Sequence, residues 1–130
     1  MTAIEIRTQS REELIDITPE VREAVRKSGV VEGICLVYVP HTTAAVAVNE
    51  CADRDVRSDI LMALKKAVPD TLAYSHREGN SPAHVKATLV GTSLSIIIED
   101  GKPVLGAWQG IFLCEFDGPR TRKVWVRVAS

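Results

Sequence analysis

Residues 33–50 read GICLVYVPHTTAAVAVNE, two apolar runs on either side of Pro40 and His41. The first run, GICLVYV, shows no alternation that would mark a solvent face, so it predicts a central strand covered on both sides. Pro40 has no N–H to offer a ladder and ends that strand. AAVAVN then predicts a second compact strand, closed by Glu50. His41 stands at the mouth between the two strands, with the hydroxyls of Thr42 and Thr43 behind it. A hydroxyl or backbone N–H in that place suits an oxyanion; a turn capped by its own side chains explains the same tripeptide equally well.

Working outward, AIEIRTQ and ELIDIT predict two short opening strands joined as a hairpin around Ser10–Glu12. Thr18–Pro19–Glu20 starts a helix with Val21, Ala24 and Val25 on its apolar side, and Ser28–Gly29 stops it. DRDVRSDILMALKKAVP has helical periodicity, with Val56, Ile60, Leu64 and Val68 in one stripe and Pro69 closing it. A third helix opens at Ser81–Pro82 and ends at Gly91 in a left-handed conformation. SLSIII, GIFLCEF and KVWVRV are later strands, with a tight turn at Asp100–Gly101. The fold class expected is α+β: a mostly antiparallel β-sheet or sandwich with about three helices packed on it. A single domain, 1–130, accommodates all of these elements.

Charge excludes some functions. Sixteen Lys and Arg stand against 17 Asp and Glu, so no general attraction to nucleic acid or to an anionic membrane is expected. No segment reaches membrane-spanning length, and MTAIEIRTQSREE lacks the apolar stretch of a signal peptide. A cytoplasmic protein is the expectation. Cys35, Cys51 and Cys114 have no short metal spacing; Cys35 and Cys114 lie in apolar runs and read as buried strand residues. In VWVRVAS, Val124, Val126 and Val128 face one way and Trp125 and Arg127 the other. A partner subunit over the Trp125 side is the expected cover.

The polar candidates fall in four groups. YSHREGNSPAH, residues 74–84, sets His76 and Asn80 on a loop leading into the first helical turn, which holds His84. That arrangement suits a small anion or a metal–anion complex. If the fold brings His41, His76 and His84 together, three neutral imidazoles can hold zinc with one position open; structural histidines account for the same residues. Glu50, Asp53, Asp55 and Asp59 supply four carboxylates. Asp53 reads as a helix cap, while Asp55 and Asp59 share a helical face and can bridge magnesium to a diphosphate. LGAWQG places Trp108 and Gln109 as a flat wall and a polar probe, unless the indole simply fills core volume. FDGPRTR makes a tight turn followed by Arg120 and Arg122, two apart and expected to point the same way; they suit a bidentate grip on phosphate, and two surface arginines beside an acidic turn account for them as well.

Taken together, PHTTAAVAVNE, DRDVRSD, YSHREGNSPAH, LGAWQGIFLCEFDGPRTR and the terminal VWVRV resemble the YjbQ family, also called the secondary thiamin-phosphate synthase family. Ala107 departs from its usual Thr, and Cys51 and Arg54 from its usual Asn and Pro. The resemblance implies a small homotrimeric protein with a polar cluster that includes the histidines. It also implies thiamin-phosphate synthase activity, joining hydroxymethylpyrimidine diphosphate to thiazole phosphate with release of diphosphate. On that reading Asp55, Asp59, Arg120 and Arg122 serve catalysis. His41, Thr42, Thr43, Asn80, Trp108 and Gln109, with the same arginines, bind the phosphorylated small molecule. A divalent metal would sit at His41, His76 and His84 as zinc, or arrive with diphosphate as magnesium. The alternatives are a metal-dependent phosphate-ester hydrolase and a non-enzymatic protein that binds a metal, an anion or a small metabolite.

Overall fold

The computed structural model describes residues 1–130. In chain order its elements are β1 (Thr2–Arg7), β2 (Glu13–Asp16), α1 (Thr18–Ser28), β3 (Gly33–Tyr38), β4 (Ala44–Glu50), α2 (Arg54–Ala67), α3 (Ser81–Val90), β5 (Ser93–Glu99), β6 (Lys102–Pro103), β7 (Gln109–Glu115) and β8 (Thr121–Ala129). All strand pairs are antiparallel. They make a five-stranded sheet in the order β1-β8-β3-β5-β6 and a three-stranded sheet in the order β2-β7-β4. The α+β class with three helices is the one the sequence predicts.

Two strand assignments differ from expectation. β1 and β2 do not form a hairpin: β1 pairs with β8 and β2 with β7, so the Ser10–Glu12 segment carries the chain from one sheet to the other. The strand covered on both faces is β7 rather than β3. Ile111 and Leu113 of β7 enter the main core, while Phe112 and Cys114 turn to the opposite side. β3 is central in its sheet, yet only Cys35 and Val37 are buried; Ile34, Leu36 and Tyr38 are exposed on the outer face.

The layers follow from these faces. Val21 and Val25 of α1 pack with Cys35, Val37, Val46, Ile96, Ile98, Val124 and Val126 between the two sheets. On the far side of the small sheet, Ala83 and Ala87 of α3 meet Ala45, Cys114 and Phe116, with Leu61 and Leu64 of α2 packed against them. α1 is tied to β7 directly: Ile17 N–H donates to the Ile111 carbonyl at 2.8 Å, and Ile111 N–H to Thr18 Oγ1 at 2.8 Å. Burial pushes the Cys35 thiol up to about 11 and the Cys114 thiol up to about 12, which leaves both as inert core residues.

Helix ends largely match the sequence signals. Pro19 and Pro82 occupy first-turn positions, and Asp53 caps α2 by accepting the Asp55 N–H at 2.9 Å. α3 begins at Ser81, so Asn80 takes the cap position instead. Gly91 has φ 101° and ψ 158°, a positive-φ extended exit and not the left-handed helical one. Asp100 and Gly101 both have positive φ, 51° and 73°, as a two-residue hairpin turn requires.

Leu113, fully buried at the centre of this arrangement, tests it. Leu113→Ala is expected to cost about 2–5 kcal/mol, read as a lower urea midpoint with an unchanged slope. A loss under about half a kilocalorie, the level of a surface change, would mean that β7 is not the buried strand.

Candidate functional site

β3 belongs to the large sheet and β4 to the small one, so Val39–Thr43 is a corner where the chain changes sheets. His41 sits on that corner. Its Nε2 accepts the Lys123 backbone N–H at 2.8 Å, which leaves Nδ1 to carry the proton of the neutral ring. Partial burial and the neighbouring Arg122 guanidinium hold its pKa below the usual histidine value, with Arg120 adding to this and Glu115 opposing it. His41 is therefore a neutral donor at neutral pH.

Behind the corner lies a buried ion pair. Arg122 is 2% exposed and Glu115 0%. Arg122 donates through Nε and a terminal nitrogen to the Glu115 carboxylate, and the same nitrogen reaches the Thr43 carbonyl at 3.1 Å and Oγ1 at 2.8 Å. Thr8 Oγ1 donates to Glu115 Oε1 at 2.8 Å, and the Asp117 N–H donates to Oε2 at 3.1 Å. Gly118 lies in the tightest part of this loop. A Cβ there would overlap the Ser10 carbonyl and come within 2.9 Å of both Glu115 Cγ and Thr8 Oγ1.

The two arginines expected to point together thus part company. Arg122 is consumed inside the protein. Arg120 precedes β8, in a bend where strand alternation has not begun, and its side chain is half exposed. It donates to the Asp117 carbonyl at 2.8 Å and to Asp117 Oδ2 at 3.0 Å. Asp117 Oδ2 also accepts Asn80 Nδ2 at 2.9 Å, which fastens the start of α3 to the same loop. His84, in the first turn of α3, meets His76 edge to face with ring centroids 5.2 Å apart. Asn80 Oδ1 is buried without a partner. One end of the molecule therefore gathers His41, Thr42, Asn80, the His76–His84 pair and Arg120.

Asp55, Asp59, Trp108 and Gln109 are not at that end. β4 and β7 run antiparallel from the pair Ala44–Glu115 to the pair Glu50–Gln109. Six residue steps of strand separate these ends by roughly 20 Å. The Cys51 N–H donates to the Trp108 carbonyl at 2.8 Å, so the Trp108 loop and the start of α2 form an opposite pole. Trp108 is 67% exposed and fills no core volume. Gln109 turns its amide inward, accepting the Gly106 N–H at 2.8 Å.

No group of three or more His, Cys, Asp and Glu side chains in the chain is arranged to hold a metal. The expected convergence of His41, His76 and His84 on zinc is not formed within one chain; only His76 and His84 are in contact, and the Nε2 of His41 is already engaged. Sequence reasoning missed Glu115, Thr8 and the buried Lys86, which pairs with Glu12 at 2.8 Å and ties α3 to the β1–β2 connection. A lone glutamate inside GIFLCEF was the available signal, because a charge in a doubly covered strand needs a partner.

A family described as UPF0047 protein YjbQ-like matches residues 2–130. UPF0047 protein MJ1081 of Methanocaldococcus jannaschii is 52% identical over 95% of this chain and 90% of its own length. UPF0047 protein YugU of Bacillus subtilis is 43% identical over 98% of both chains. The crystal structure of a yjbq/upf0047 family protein from Clostridium acetobutylicum superposes with a TM-score of 0.97 at 50% identity, covering 99% of this chain and 100% of that one.

The buried pair makes a two-part prediction for stability. Arg122→Ala leaves Glu115 charged, buried and unpaired, and is expected to cost about 3–5 kcal/mol in urea unfolding. The double variant Arg122→Met/Glu115→Leu should recover most of that loss, since both charges go together. Equal destabilisation in the two variants would show that the charges are not coupled.

Proposed function

We propose, from the premise that this chain belongs to the YjbQ-like UPF0047 family, that its His41–Arg120 end binds the phosphate groups of a small molecule and serves thiamin-phosphate synthesis. The observation that carries this reading is the division of labour between two neighbouring arginines. Arg122 is neutralised internally by Glu115 and holds the corner; Arg120 stays half exposed beside it. The Arg120 guanidinium makes only two N–H contacts, both with Asp117, and keeps further donors for an incoming oxyanion. His41 adds a neutral Nδ1–H fixed in direction by Lys123.

The reaction forms one bond and breaks one. The ring nitrogen of thiazole phosphate attacks the pyrimidine methylene carbon, and the carbon–oxygen bond to diphosphate breaks with its electron pair leaving on oxygen. The thiazole nitrogen already has a lone pair, so the chain need not supply a strong base. Positive charge develops on the methylene and negative charge on the leaving diphosphate. Donors fixed before the reaction stabilise that second charge without reorganising, which is the role given to Arg120, His41 and Thr42. A divalent ion bound with the diphosphate would supply further charge neutralisation. The zinc set of three histidines does not fit within one chain, and no step is routed through it.

The proposal includes a homotrimer. Ile34, Leu36, Tyr38 and Ile97 are exposed on the outer face of the large sheet, and Tyr38 stacks on Trp125 with centroids 5.9 Å apart. Burying such a patch drives association. Light scattering coupled to size exclusion reads the mass.

The function is tested by assaying thiamin phosphate formation and phosphate release side by side. Thiamin phosphate is expected from the wild type, with a loss on the order of 100-fold in Arg120→Ala while the fold and mass are kept. Phosphate-ester hydrolysis alone would identify a hydrolase, and diphosphate binding without turnover a binding protein. Equal trace activity in wild type and variant would remove Arg120 from the site.

A further inference from the structure

The split between the two ends of the small sheet is the largest unexplained feature of the chain. One end carries the imidazoles and Arg120; the other carries Trp108 and the start of α2, roughly 20 Å away along β4 and β7. We infer that a second copy of the chain completes the site, its Trp108 loop and the first turns of its α2 closing over the His41–Arg120 end. The inference rests on the anion-binding reading of that end and names what the other half of the ligand would meet. The ligand class is a flat heteroaromatic ring bearing phosphate or diphosphate, with phosphate on Arg120 and His41 of one protomer and the ring on Trp108 of the next.

Four observations point to a second copy as the occupant. First, Trp108 is 67% exposed on a loop that is firmly held. Its carbonyl accepts the Cys51 N–H, and Gly106 and Gln109 bond to each other twice, at 2.8 and 3.0 Å. A large indole presented to water on a fixed platform is a contact surface awaiting a partner. Second, α2 buries none of its 14 residues, and the carboxylates of Asp55 and Asp59 meet no side-chain partner.

Third, each surface carries charge that its own chain does not pair: Asp55 and Asp59 beside the Trp108 loop, where Arg54 and Arg57 also lie, and Lys123 beside the His41 corner make no ion pair within the chain. Lys123 and Arg127 flank Trp125 on the outward side of β8. Fourth, the exposed apolar face runs into the His41 corner. Trp125 follows two residues after Lys123, whose N–H holds His41, so a chain seated on the Tyr38–Trp125 stack reaches that imidazole. Two unlike ends give a head-to-tail contact, which makes a closed ring where the rotation between copies closes, as the homotrimer requires.

Two experiments test this independently. In Trp125→Phe, Trp108 is the only indole. Its emission is expected to be that of a covered indole at micromolar protein and to shift red on dilution, in step with the loss of mass by light scattering. The difference spectrum between wild type and Trp108→Phe gives the same reading should Trp125→Phe disturb assembly. Emission of a fully wet indole while the protein is oligomeric overturns the inference.

The second experiment mixes two variants, Arg120→Ala and Trp108→Ala, with binding of hydroxymethylpyrimidine diphosphate read by calorimetry. Each variant alone is expected to lose at least about tenfold in affinity. Refolded together in equal amounts, about one quarter of the sites should regain wild-type affinity, because each pairs an intact end of one copy with the intact end of the next. No recovery in a mixed oligomer overturns the composite site. If the wild type fails to bind the diphosphate at all, the anion-binding reading falls and the composite-site inference, which rests on it, falls with it.

Discussion

The Glu115–Arg122 ion pair is the constraint on which the rest of this molecule hangs. Glu115 ends β7 of the small sheet and Arg122 is the second residue of β8 in the large one, so the pair is a rivet between two sheets that share no strand. Further lone pairs and N–H groups are taken by Thr8, Thr43 and the Asp117 backbone, the three segments that cross or border the gap. A charge pair buried this deeply is tolerated only when its hydrogen-bonding capacity is met in this way. Once it is met, the position of every neighbouring loop follows. The His41 corner is fixed by Thr43, the Arg120 bend by Asp117 and Thr8, and the start of α3 by the bond from Asn80 to Asp117.

Much of the fold is legible in the sequence because local chemistry writes it. Pro19, Pro82, Asp53 and Gly29 mark helix ends by their backbone preferences, and the Asp100–Gly101 turn by its positive φ angles. What is not legible is which apolar strand lies between two layers. GICLVYV and GIFLCEF are both apolar runs, the second interrupted by Glu115, yet only the second has helices on one side and the main core on the other. The hairpin expected at Ser10–Glu12 fails for a related reason: strand signals are local, whereas the choice of pairing partner is made by distant β7 and β8.

The site was legible as residues and not as a place. The histidine loop, the corner threonines and the DGPR turn do assemble, through bonds that a list of motifs does not contain. Arg120 and Arg122 separate because the pleat starts only at Thr121, so their two-residue spacing carries no alternation. Asp55, Asp59, Trp108 and Gln109 lie at the far end of the same strand pair, set there by a register that no short segment encodes.

The central claim is that the buried pair frees the His41 corner to act as a fixed neutral donor toward an anion. Histidine 15N resonances of the assembled protein test it most directly, followed through acid pH and then through addition of inorganic diphosphate. Burial and Arg122 hold His41 below the ordinary histidine range. Its ring should therefore stay neutral and Nδ1-protonated at a pH where a free imidazole has already charged, and diphosphate should shift the Nδ1 resonance first. An ordinary histidine titration, or an Nε2-protonated ring indifferent to diphosphate, would contradict the account.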